Sequence, residues 1–363
     1  MRHPQRSVRL TLGAGLVAML VVPLQAQPLR EFVFEKAPFP SCHASTLVEL
    51  PDGEILAAWF GGTAEGRPDV AIWAARRTAS GWSQPIELAR EPEVPTWNPV
   101  LFYTADGRLW LYYKFGPSPQ TWTAARRASA DHGRTWSAIE HLPAGLYGPI
   151  RSKPLLLPDG TLVSGTSVES YRSWACWIER SADHGRSWQR IGPITVARDV
   201  PRRDAAGPAP AEVPGSSEWK RIDGIIQPAV VPLGGNRLRF YARSTASIGR
   251  ICVADSFDDG RSWTQARPID LPNPNAAVDA IRLDDGRIVL IYNHSDRART
   301  PLNLAVSRDG ERFRSFYTLE DQPGEYSYPA LIQARNGDLL ITYTWRRQRI
   351  AFVRFPLGLV PAE

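Results

Sequence analysis

Short apolar runs separated by glycine-centred turns recur along the whole chain, and helical periodicity is absent throughout. Six of the turns read alike: Asp52-Gly53, Asp106-Gly107, Asp159-Gly160, Gly235-Asn236, Asp285-Gly286 and Asn336-Gly337. Each is a hairpin signature, because aspartate or asparagine holds the turn and glycine accepts a positive φ. Their second positions, 53, 107, 160, 236, 286 and 337, step by 54, 53, 76, 50 and 51 residues. A period near fifty with four short strands per unit predicts an all-β chain, a six-bladed β-propeller of four-stranded antiparallel blades.

A second pattern fixes the phase of the strands. Ser129-Ala-Asp-His-Gly-Arg-Thr-Trp136 returns as Ser181 to Trp188 and as Ser256 to Trp263, each reading Ser-x-Asp-x-Gly-x-x-Trp. A shortened copy runs from Ser307 to Phe313, and Ser80-Gly-Trp82 is a remnant. These are tight hairpins in which aspartate accepts backbone amides two residues on and tryptophan caps the turn. With strands lettered A to D in each blade, the Asp-Gly turn joins A to B and this hairpin joins C to D. The last blade ends at strand C, Arg349 to Phe355, so the alternating stretch Arg30 to Glu35 is expected to supply its fourth strand and remove the free edge.

Two segments stand outside the repeat. Arg2, Arg6 and Arg9 precede an apolar run from Leu10 to Leu24 that closes on Ala26. This reads as a signal peptide over residues 1–26, followed by a single propeller domain over 27–363 in a secreted or periplasmic protein that has no membrane segment after its removal. The long step contains an inserted loop over roughly 194–222, rich in Pro, Ala and Gly, and a candidate lid. It joins strand D of one blade to strand A of the next, which places it on the face opposite the repeated hairpins. Removal of the three signal arginines leaves +3 of the +6 net charge, with no basic run, so nucleic acid is not an expected partner. Three cysteines, Cys42, Cys176 and Cys252, read as buried thiols. No metal-ligand spacing is present, and no metal or cofactor is expected.

The same topology sorts the polar residues. Strand A starts and strand B ends surround the channel on the loop face. The A starts offer His43, Asn98, Arg151 with Lys153, Gln227, Asp279, and Tyr326 with Tyr328. The B ends offer Lys114, Glu169, Arg243, Asn293 and Arg346, and the first B–C loop adds Glu65, Arg67 and Asp69. Six blades thus converge on a basic, tyrosine-bearing funnel suited to an acidic oligosaccharide or polysaccharide, since guanidinium grips carboxylate and sugars stack on aromatic rings.

The repeated hairpins resemble the Asp-boxes of the sialidase-like propeller superfamily, over about residues 30 to 355. That resemblance implies a tyrosine nucleophile paired with a glutamate, an aspartate acid/base and three arginines on a substrate carboxylate. By position, Tyr328 in Tyr328-Pro-Ala-Leu331 resembles the nucleophile, Asp69 the acid/base, and Arg243 the second arginine. His43 stands where the first arginine is expected, Gln227 where the glutamate is, and Asn293 where the third arginine is, with Arg297 and Arg299 nearby. The stretches Cys42-His43-Ala-Ser-Thr, Trp97-Asn98-Pro, Arg151-Ser-Lys153-Pro and Tyr326-Ser-Tyr328-Pro look closer to lyases of this superfamily that release terminal rhamnose from glucuronic acid. That branch implies Arg151, Arg243 and Arg346 on the uronate carboxylate, His43 as base and Tyr328 as acid. Three readings follow: an eliminating enzyme, an exo-sialidase with rearranged arginines, and a non-catalytic glycan-binding propeller.

Overall fold

The computed structural model describes residues 27–203 and 222–362; the expected signal peptide, and residues 204–221 of the expected insertion, lie outside the described residues. The described strands pair into six antiparallel units. Blade I contains Ser41–Glu49, Ile55–Gly62 and Ala71–Thr78, with Gly81–Trp82 and Ile86–Ala89 sharing its outer edge. Blade II contains Thr96–Tyr103, Leu109–Phe115, Thr123–Ser129 and Glu140–His141. Blade III contains Leu155–Leu156, Leu162–Glu169, Ser173–Ser181 and Gln189–Ile194. Blade IV contains Asp223–Gly234, Arg237–Ser244, Arg250–Ser256 and Arg267–Pro272, and meets blade III through a short parallel contact of Ser173 with Asp223 and Trp174 with Gly224. Blade V contains Asp279–Arg282, Ile288–Asn293, Leu302–Ser307 and Arg314–Glu320.

Blade VI contains Tyr326–Gln333, Leu339–Trp345 and Arg349–Phe355, and its fourth strand is Leu29–Phe32 from the start of the described chain. The pairing runs from Leu29 opposite Arg354 to Phe32 opposite Ala351. The inner strand of blade I packs against the inner strands of both blade II and blade VI, so the ring is closed there. Glu31 fixes the closing strand to blade I by accepting from Trp82 Nε1 at 2.8 Å and from Arg77. Arg349 adds an ion pair to Glu35 at 2.8 Å and lies over Phe32.

The core is divided among the blade interfaces. Among the described residues the six largest apolar clusters each centre on one seam between adjacent blades: I–II around Leu101 and Leu111, II–III around Tyr112 and Leu162, III–IV around Ile178 and Phe240, IV–V around Tyr241 and Leu290, V–VI around Leu304 and Ile341, and VI–I around Trp59 and Phe352. The period-two alternation of each middle strand accounts for this, since both faces of a propeller blade are covered by neighbours. Cys42, Cys176 and Cys252 are all buried in these clusters.

The hairpins differ in one detail from the sequence expectation. In the Asp-Gly turns, aspartate accepts from the amide two residues on, as in Asp52 with Glu54 at 3.1 Å and Asp159 with Thr161 at 2.9 Å. In the three full Ser-x-Asp-x-Gly hairpins it reaches further. Asp131 accepts from the amides of Arg134 at 3.1 Å and Thr135 at 2.8 Å, while Ser129 Oγ caps the amide of Gly133 at 2.7 Å. The residue before each glycine, His132, His184 or Asp259, also has a positive φ, and the two consecutive left-handed residues set the longer span. Only the shortened copy keeps the two-residue reach, from Asp309 to the amide of Glu311 at 2.8 Å.

Deleting residues 27–37 is expected to expose the Arg349–Phe355 edge and lower the melting temperature by roughly 10 °C or more, with aggregation, given that each lost kcal/mol moves a domain of this size by about 2–4 °C. Calorimetry of the truncated chain checks this; an unchanged transition would show that ring closure contributes nothing.

Candidate functional site

The inner strands share a local irregularity that builds the site. In blades I, II, IV and VI the ladder slips where strand A enters the channel, between His43 and Thr46, Trp97 and Val100, Ile226 and Ala229, and Ser327 and Ala330. Each bulge holds a residue other than glycine at positive φ: Ala44, Asn98, Gln227 and Tyr328. Proline follows in three of the four and removes the amide that regular pairing would use. Such bulges re-aim side chains and concentrate at functional sites. The blade III equivalent, residues 149–154, is mostly irregular and carries Arg151.

Gly165 lets two of these segments meet. A Cβ there would lie 2.1 Å from the carbonyl oxygen of Pro228, directly after Gln227, and the Gly165 carbonyl accepts from the amide of Ile150 at 3.1 Å, directly before Arg151.

The centre of the cluster is the Tyr328 hydroxyl. Tyr328 Oη accepts from Arg243 Nη1 at 3.0 Å and from Gln227 Nε2 at 3.1 Å. Arg243 Nε donates to Asn275 Oδ1 at 2.7 Å, and its guanidinium lies 5.5 Å from the Trp174 ring. Two further guanidiniums flank the Tyr328 ring, Arg151 at 5.5 Å and Arg299 at 5.8 Å. Arg151 is buried and donates to the carbonyls of Val278, at 3.2 Å, and Pro329. Burial lowers its pKa, with Asp279 opposing.

Around this centre runs an ion-paired chain. Glu325 binds Arg299 at 2.8 Å and Arg347 at 3.0 Å, and Arg347 also binds Glu65. Burial pushes the Glu325 carboxyl up, but Arg299 and Arg347 override it and hold it well below the usual range. His43 sits against Tyr328 with ring centroids 4.2 Å apart. It is 1% exposed, and neither ring nitrogen has a hydrogen-bond partner. Burial first, and Arg347 second, keep its pKa well below 6.5, so His43 is neutral. The Glu169 carboxyl is raised to about 7, chiefly by burial, with Arg243 opposing and Glu65 adding to the rise.

The structure therefore gathers His43, Gln227, Arg151, Arg243, Tyr328 and Glu169 in one place. Asn98 is buried at the equivalent bulge of blade II. Other expected site residues are placed elsewhere. Lys114 is fully buried and donates to the Pro149 carbonyl at 2.5 Å, where burial lowers its pKa to about 7. It holds the segment before Arg151 rather than facing the funnel. Lys153 pairs with Asp279 at 3.0 Å, and Asp279 also accepts the Leu331 amide at 2.8 Å, so this pair braces blades III, V and VI. Asn293 donates to the carbonyls of Pro301 and Tyr326 at 3.1 and 3.0 Å. Asp69 is exposed, its carboxylate held by Thr63 through contacts of 2.5 and 2.7 Å that lower its pKa, and Arg67 is exposed on the same loop.

Arg346 is a correction. It is exposed, lies 4.7 Å from the Trp345 ring and donates to the Pro323 carbonyl at 3.1 Å and weakly to the buried Tyr326 hydroxyl at 3.3 Å. Arg347 faces the cluster instead, because Arg346 and Arg347 both take positive φ and the turn reverses the alternation of the strand before it. Glu325 and Asn275 carried no sequence signal, being single polar residues in D–A connections. Arg299, six residues after Asn293 and already named beside it, was the accessible clue to the third arginine.

Known proteins share this scaffold. Residues 53–341 match the family described as BNR repeat-like domain. The chain belongs to that family. This BNR-repeat chain is 29% identical over 237 residues to a sialidase of Micromonospora viridifaciens, a match covering 63% of the chain and 30% of that much longer protein. Its fold matches the NanB sialidase from Streptococcus pneumoniae with a TM-score of 0.70 at 13% identity, over 91% of this chain and 71% of that one. It matches the intramolecular trans-sialidase from Ruminococcus gnavus with a TM-score of 0.67 at 14% identity, over 92% and 98% of the two chains. The scaffold of this BNR-repeat protein is therefore sialidase-like.

Two expectations follow from the site. Gly165→Ala should overpack the contact with Pro228, costing about 1–3 kcal/mol and displacing Gln227, read as a lower denaturation midpoint together with lost ligand binding. Glu325 is depressed on folding, so the stability it confers is fully present above the ordinary value of 4.5 and is lost as pH falls below it towards the lower folded value. Glu325→Gln should therefore melt earlier than the parent at pH 7 and show a flatter decline between pH 5 and pH 3.

Proposed function

We propose that this protein is an exported enzyme that cleaves the linkage of a terminal acidic sugar, by β-elimination at a uronate. The observation that carries the reading is a pair of buried guanidiniums with no carboxylate partner. Among the described residues, Arg151 and Arg243 form no ion pair, although 4% and 8% exposed, while Arg299 and Arg347 beside them are paired. Burying an unpaired cation costs several kcal/mol, and an anionic ligand offsets that cost. The two flank Tyr328, so a bound carboxylate would lie beside its hydroxyl.

Elimination asks for two things of this cluster. The uronate carboxylate must be neutralised so that charge can move onto it when the C5 proton leaves. Arg151 and Arg243 supply that. A group must take the C5 proton, and Tyr328 Oη is suited to it: Arg243 and Gln227 both donate to that oxygen and stabilise the charge on it once its own proton has gone. His43, sealed behind the ring, fits a supporting role beneath Tyr328 better than direct contact with a sugar. The C5–H electrons form the C4=C5 double bond, and the C4–O bond breaks. The residue at position 227 weighs against the alternative, direct displacement by Tyr328 as nucleophile, because an amide cannot take the hydroxyl proton as a glutamate would.

Incubation with an oligosaccharide ending in rhamnose linked to glucuronate should yield a product with the ultraviolet band of a conjugated 4,5-ene. Tyr328→Phe should reduce the rate by about 10²–10⁴-fold while leaving the melting temperature near that of the parent. Release of rhamnose without the band would instead establish hydrolysis. Binding of the oligosaccharide with no product of either kind would establish a lectin.

A further inference from the structure

The cluster contains a carboxyl that the scheme above does not use. Glu169 ends the second strand of blade III, where its ladder partner is Trp174, the ring beneath Arg243. It is 8% exposed, and burial and the charges of Arg243 and Glu65, rather than a hydrogen bond, act on its carboxyl. A buried carboxyl without a donor is costly and rarely kept for packing alone. The charged groups acting on it are Arg243 from blade IV and Glu65 from the first loop of blade I. Beyond Glu65 stand Arg347, from the turn between the second and third strands of blade VI, and, bonded to it, Glu325, just before that blade's first strand.

From this arrangement we propose that Glu169 is a catalytic residue of the same site, the acid that gives its proton to the departing glycosidic oxygen. This rests on the reading of the site as one that cleaves an acidic sugar linkage, but not on the mode of cleavage.

The two carboxylates at the mouth are set apart by their surroundings. Glu65 is ion-paired with Arg347. Glu169 lacks such a partner, and burial together with the charge of Glu65 raises it to about 7, so that it carries a proton through the lower half of the neutral range. A carboxyl raised in this way is suited to giving up a proton near neutral pH. In elimination Tyr328 Oη, having released its own proton to water, takes the C5 proton, the C5–H pair forms C4=C5, and the C4–O pair leaves on the oxygen, which takes the Glu169 proton. The products are an unsaturated uronate and a neutral alcohol. Tyr328 is left protonated and Glu169 ionised, and exchange with water restores both.

The test is the pH profile of kcat/KM on the rhamnosyl-glucuronate oligosaccharide, followed both by the ultraviolet band and by reducing ends. The parent should lose activity as pH rises through about 7, because the acid is then deprotonated. Glu169→Gln should lower kcat by about 10²–10⁴-fold, leave KM within a few-fold, and abolish that high-pH limb. A variant that keeps its rate, or keeps the limb, overturns the assignment. If Glu169→Gln fails to fold, calorimetry of glucuronate binding to the parent protein at pH 7.5 in buffers of different ionisation enthalpy decides instead. An anion beside Glu169 raises its pKa further, so binding should take up a proton, and heats that do not depend on buffer overturn the assignment. A parent protein that binds glucuronate with proton uptake but cleaves nothing refutes the enzymatic reading and the acid role together, whereas cleavage unaffected by Glu169→Gln refutes the acid role alone.

Discussion

Each of the first four blades is tied to the next by an arginine that donates to a carbonyl in the neighbour's hairpin. Arg76 reaches the His132 carbonyl at 2.6 Å, Arg126 the Gly185 carbonyl, Arg180 the Asp259 carbonyl at 3.0 Å, and Arg239 the Gly310 carbonyl at 2.9 Å. The serine and aspartate of the hairpin turn the local amides inward, which leaves those carbonyls facing the adjacent blade. The last interfaces, where no such hairpin exists, use other ties: Tyr343 to Glu320 at 2.6 Å, and Arg335 to the Leu50 and Pro51 carbonyls at 2.7 Å. Six separate apolar clusters only form when neighbouring blades are held at a constant rotation, so these polar ties and the divided core depend on one another. Everything in the channel inherits its position from that rotation, because no single blade contributes more than a few groups to the site.

Within the channel, charge is sorted into two populations. Arg299, Arg347, Glu325 and Glu65 neutralise each other in a chain along the rim, which makes them a rigid frame. Arg151 and Arg243 have only neutral partners and so keep an attractive field inside a low-dielectric pocket. The sialidase-like scaffold carries His43, Gln227 and Asn293 at three positions where the resemblance implies an arginine, a glutamate and an arginine. His43 illustrates the difference: where a cation is expected, the protein has a neutral ring packed on the tyrosine.

The fold was largely legible in the sequence, because its signals are local and repeated. The Asp-Gly turns and the Ser-x-Asp-x-Gly hairpins record strand count and phase, and phase alone leads to the closing strand at Leu29–Phe32 and to the loop face. The described start of the insertion follows suit, with Arg203 accepted by the Ser247 carbonyl at 2.7 Å in a B–C loop. Site residues were legible where position within the repeat sufficed, as for Tyr328, Arg243 and Arg151. They were not where a side chain's direction depends on a turn, as at Arg346 and Arg347, or where length alone decides its reach, as at Lys114. Glu325 and Asn275 lie in connections that have no repeat to be compared with, so their part in the cluster emerges only when blades V and VI are brought together.

The reach of Arg151 has a mechanical meaning. Its guanidinium leaves blade III, crosses the channel and ends on the carbonyls of Val278 before blade V and Pro329 in blade VI. A ring made only of neighbour contacts can breathe, or gain and lose a segment, with strain confined to one seam. A ring with a spoke cannot, since its diameter is then set by the length of one side chain. The spoke here ends on the peptide directly after Tyr328, so the circumference of the molecule and the placement of its central hydroxyl are governed by the same bond.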